Sequence, residues 1–125
     1  MKKWTTPVIT LLALAGQPAS ASQTACFFDS GQDPEYYELE FIGYDDINPM
    51  IVFSSTVNGS GKRITLSSEN YSLEHFSQKT ATVHLEFRNP GDDSLPPSFT
   101  LIGRNGLAQL KIGPTAVDGS LRCGS

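Results

Sequence analysis

Apolar and polar residues alternate through most of the chain beyond residue 24. Clusters of Gly, Pro, Asn and Asp interrupt the alternation roughly every eight to twelve positions. Successive side chains of a strand point to opposite faces, so a period of two marks a half-buried β-strand. Residues 36–42 show it plainly, with Tyr37, Leu39 and Phe41 on one face and Glu38 and Glu40 on the other. Residues 80–88 repeat it: Val83, Leu85 and Phe87 alternate with His84, Glu86 and Arg88. Further strands are predicted over 25–29, 50–57, 63–67, 98–104, 107–112 and 117–123. The run Met50 to Phe53 predicts burial on both faces at that end of its strand. The predicted inward residues are Ile64 and Leu66, then Phe99 and Leu101, then Ala108, Leu110 and Ile112. Asn58-Gly59 and Asn105-Gly106 supply the positive φ angles of tight hairpin turns.

Residues 68–79 fit two patterns. Tyr71, Leu73 and Phe76 suit one helical turn behind an Asn70 cap, or a strand with a kink. The strand is preferred, because no other segment has helical periodicity. The pattern as a whole predicts an all-β fold: a small antiparallel β-sandwich or barrel of about eight strands in mostly hairpin order. Periodicity does not separate sandwich from barrel.

The first residues read differently. Lys2 and Lys3 precede the apolar stretch Val8–Ala15, and Ala19-Ser20-Ala21 follows as a small-x-small cleavage site. Residues 1–21 are therefore expected to be a cleaved secretory signal peptide, leaving one domain over 22–125. The stretch is too short to span a bilayer, which needs about 20 apolar residues. Cys26 is not expected to be a lipoprotein acylation site, because Gln23 stands where a Leu-like residue belongs. The expected location is the periplasm or the extracellular space.

Export changes the reading of the two cysteines, Cys26 and Cys123. An oxidising compartment predicts a disulfide, here one that closes nearly the whole domain into a ring. It also changes the charge: the chain carries −4, and loss of Lys2 and Lys3 makes that −6. Such a surface repels nucleic acid and anionic lipid and steers a basic protein toward it.

The sequence offers little chemistry. His75 reads as a surface residue and His84 as a cross-strand pairing residue on a polar strand face, and no Gly-x-Ser-x-Gly elbow occurs. Neither zinc nor calcium ligand spacing is present, and no cofactor is expected. Glu38, Glu40 and Glu86 fall on polar strand faces and read as solvated charge. The loops with Tyr44, Asp45, Asp46 and Asn48, and with Asn89, Asp92 and Asp93, are the expected contact loops, being long and acidic. The expected function is a non-catalytic exported binding module of a bacterium. An inhibitor of a cationic wall hydrolase is one alternative; the chain is similar to bacterial lysozyme inhibitors in architecture alone, without their motifs. A structural subunit of an envelope assembly is another.

Overall fold

The structure is a computed structural model and describes residues 24–30, 35–57 and 60–124. The expected leader at 1–21 and the Asn58-Gly59 turn lie outside these residues. Nine strands occur among them: β1 (Thr24–Asp29), β2 (Tyr37–Ile42), β3 (Met50–Ser55), β4 (Ile64–Thr65), β5 (Tyr71–Ser77), β6 (Thr82–Phe87), β7 (Phe99–Arg104), β8 (Leu107–Ile112) and β9 (Thr115–Cys123). All neighbours pair antiparallel. They form one sheet in the order β4-β3-β2-β1-β9-β8-β7-β6-β5. The first and last strands thus meet in the middle, and two strands consecutive in sequence, β4 and β5, form the edges.

The sheet curls into a half-barrel around its inner face. Phe53 of β3 stacks on Phe99 of β7 at 5.5 Å between ring centroids, although β2, β1, β9 and β8 lie between those strands in the sheet. Phe41 of β2 likewise stacks on Phe76 of β5 at 5.1 Å. The predicted inner faces are the buried ones: Tyr37, Leu39 and Phe41; Val83, Leu85 and Phe87; Phe99 and Leu101; Ala108, Leu110 and Ile112. Burying each large apolar side chain is worth about 1.5–3 kcal/mol, which is why this face folds inward. Ile51, Val52 and Phe53 are buried as the apolar run predicts, but Met50, its first residue, is exposed.

Asn105 (φ 55°) and Gly106 (φ 86°) form the predicted tight turn between β7 and β8. The other pair, Asn58-Gly59, lies outside the described residues. The last β3–β4 pair is Phe53↔Ile64, and beyond it Ser54 and Ser55 pair only with β2. β3 therefore stops at Ser55 rather than residue 57, and β4 is shorter than the predicted 63–67.

The ambiguous segment takes the preferred strand: Tyr71, Leu73 and Phe76 lie in β5, and no helical turn forms behind Asn70. Ser68–Asn70 make a short 3-10 turn, and β5 follows as a strand with a register shift between Leu73 and His75. That bulge is the predicted kink. β5 is also the ninth strand, one more than the eight expected.

Cys26 and Cys123 face each other across β1 and β9 and form the predicted disulfide.

Candidate functional site

Strand direction decides where the loops go. Loop 43–49 caps the Ile42↔Met50 pair, at the end of the sheet that carries the disulfide and the Asn105-Gly106 turn. Loop 88–98 caps the Phe87↔Phe99 pair, at the opposite end. The two predicted contact loops therefore do not form one surface.

They also differ in what their acids do. In loop 88–98, the Asn89 side chain is a hub. Its Oδ1 accepts the amides of Gly91 and Asp92 at 2.6 and 2.7 Å, and its Nδ2 donates to the carbonyls of Asp92 and Pro96, both at 2.9 Å. Asp92 Oδ1 accepts the amide and hydroxyl of Ser94 at 2.9 and 2.7 Å. These hydrogen bonds favour the carboxylate and hold Asp92 below its ordinary pKa. Asn89 and Asp92 are thus spent on the loop's own backbone, the usual work of Asn and Asp in turns. Asp93 is exposed beside them.

Loop 43–49 is built outward. The Ile47 amide donates to Asp45 Oδ1 at 2.9 Å, fixing a local turn. Asp46 Oδ1 accepts the Gln78 amide at 3.1 Å, tying the loop to the β5–β6 connection. Asn48 takes a left-handed conformation (φ 52°) that reverses the chain, and Pro49 is buried beneath it. These anchors leave Tyr44 and Ile47 69% and 72% exposed, with Met50 beside them at 50%. Ile47 lies inside the predicted contact loop without having been singled out, and Met50 lies outside it. The available signal was an isoleucine set among residues that otherwise serve a turn.

The histidines are brought together. His75 and His84 are partners across β5 and β6, with ring centroids 6.4 Å apart. His84 Nε2 lies 3.2 Å from Glu86 Oε2, and His84 Nδ1 lies 4.0 Å from Glu74 Oε1. The bulge makes this register. Among the described residues, no group of three or more His, Cys, Asp or Glu is arranged to hold a metal ion, and no helix is long and apolar enough to cross a membrane.

The strand carboxylates stay apart. Glu40 binds Arg63 at 2.8 Å and accepts the Thr24 hydroxyl, while Glu38 accepts the Ser54 hydroxyl at 3.3 Å. Glu86 is on β6, with β1, β9, β8 and β7 between it and β2. These residues do not form a two-carboxylate cleft.

An open groove of about 440 Å³ runs between loop 43–49 and the edge strand β5, lined by Asp46, Ile47, Leu73, Glu74, His75 and Phe76, with Asn48 at its margin. Fold and groove together describe a half-barrel with a recess along its open side. Compared with known protein families, curated proteins and solved structures, the chain matches none.

Proposed function

We propose that this protein is a non-catalytic, exported binding module that meets a basic partner protein through the end bearing loop 43–49. The observation that carries the reading is the exposure of Tyr44, Ile47 and Met50 beside Asp45 and Asp46. Exposed apolar side chains grouped together and rimmed by charge are how contact surfaces look. Loop 88–98 is not part of this surface. Export is supported by the leader pattern at 1–21 and by the disulfide, which suits an oxidising compartment. The acidic balance favours a cationic partner and speeds encounter with it.

The test is capture by the oxidised protein from envelope and extracellular extracts at low salt, run beside a variant carrying Tyr44→Ser and Ile47→Ser. The expected result is a basic protein held by the wild type, released by moderate salt and not held by the variant. Equal retention by both proteins would overturn the reading.

A further inference from the structure

We propose that the groove between loop 43–49 and β5 takes an extended, basic segment of the partner protein, which adds to β5 as a further strand. The proposal rests on the reading above, and it names the form the partner takes.

β5 is an edge of the sheet, and the groove lies along it. A strand edge presents a row of backbone donors and acceptors that an extended peptide satisfies by main-chain hydrogen bonding. The bulge limits where this happens. It places Glu74 and His75 together on the exposed side of β5, while Leu73 and Phe76 pack toward the core. Asp46 already occupies the Gln78 amide, so the available edge ends before residue 78.

Side chains of an added strand alternate between two environments. One set meets Leu73, Phe76 and Ile47, and the other meets Glu74 and Asp46, with Asp45 next in the loop. The segment that fits alternates apolar with Lys or Arg. The chain carries −4 and the groove presents Glu74 and Asp46, so a second acidic copy is repelled there and the occupant is a different, basic protein.

The test uses the oxidised full-length protein and two synthetic peptides of equal charge. One alternates Lys and Val; the other has Pro in place of Val and cannot form a ladder. The Lys-Val peptide is expected to bind at low salt and to slow amide exchange within Tyr71–Ser77 by about tenfold, while the Pro peptide does neither. Glu74→Lys, at an exposed position, is expected to weaken binding of the Lys-Val peptide by about tenfold. Equal binding of both peptides with changes confined to residues 43–49 would overturn strand addition while leaving the contact surface standing. Failure of the Lys-Val peptide to bind, an unchanged affinity in Glu74→Lys, or self-association through β5 seen by sedimentation without peptide would each overturn it too. The capture comparison with the Tyr44 and Ile47 variant judges the broader reading separately.

Discussion

The sheet is closed at one junction and open at another, and the two are made in opposite ways. At one, β1 and β9 pair through Ser120↔Asp29 to Cys123↔Cys26 and are locked by the disulfide. At the other, β4 and β5 share no ladder. Leu66 donates its amide to Ile51, Asn70 accepts the Arg88 amide, and the intervening residues carry the chain from one edge to the other. At the closed junction a backbone ladder, close packing at Gly119 and a covalent bond coincide. The open one is held by Phe41 against Phe76 and by Asp46 on Gln78. Ladder and covalent contacts are concentrated at the first junction, and an open groove remains at the second.

Removing the disulfide tests this contrast most severely. The bridge spans a sequence separation of 97, and the chain-entropy model assigns a loop of that size about 4–5 kcal/mol. Replacing Cys26 and Cys123 together by Ser is expected to lower unfolding stability by an amount approaching that. A denaturant midpoint equal to the wild type would show that the ladder alone closes the junction.

Gly119→Ala is the next largest change. A β-carbon there would lie 2.5 Å from the Asp29 carbonyl oxygen and 2.8 Å from Phe28 Cε1, so β1 and β9 would have to separate. The expected cost is about 2–3 kcal/mol, in the range of overpacked cores. Gly43→Ala, in the loop beside the open junction, meets nothing closer than 3.6 Å and is expected to stay within about 0.5 kcal/mol of wild type. Similar losses at the two positions, read from chemical denaturation, would erase the distinction.

Asp46→Ala probes the open side more gently. It removes the acceptor of an exposed hydrogen bond, for which about 0.5–1 kcal/mol is the expected loss. The sharper readout is local: exchange of the Gln78 amide should quicken while amides in β1 and β9 stay as slow as before.

The smallest effect is alkaline. Burial raises the pKa of Tyr71, at the start of β5, and that of Tyr37, where the charge of Glu35 adds to it. A folded-state pKa above the unfolded value of about 10 means that both contributions are complete below pH 10 and are lost as pH rises through the folded values. Tyr71→Phe should flatten part of the stability decline above pH 10, measured by denaturant midpoints across that range. An unaltered decline would place the effect elsewhere.

Much of this was legible in the residues. Tyr37-x-Leu39-x-Phe41 and Val83-x-Leu85-x-Phe87 named their buried faces because a strand's period ties face to parity. Asn105-Gly106 named its turn because few residues tolerate two successive positive φ angles. The cysteine pair had one possible intrachain partner. The candidate surface was half legible: Tyr44, Asp45, Asp46 and Asn48 were marked by composition, but so were Asn89, Asp92 and Asp93, which the structure uses to build their own loop or leaves at the far end. Turn chemistry and contact chemistry draw on the same residues, so composition alone does not tell them apart.

The sequence by itself determined which residues turn inward, where most strands lie and which sulfurs join, since each depends on local period or on a count of two. The tertiary structure decided the rest: that β1 meets β9, that β4 and β5 part, that the acidic loops face opposite ways, and that a bulge sets His75 against His84. Strand order and register depend on pairings between segments far apart in the chain. A period of two says which face a residue takes and nothing about which strand lies beside it.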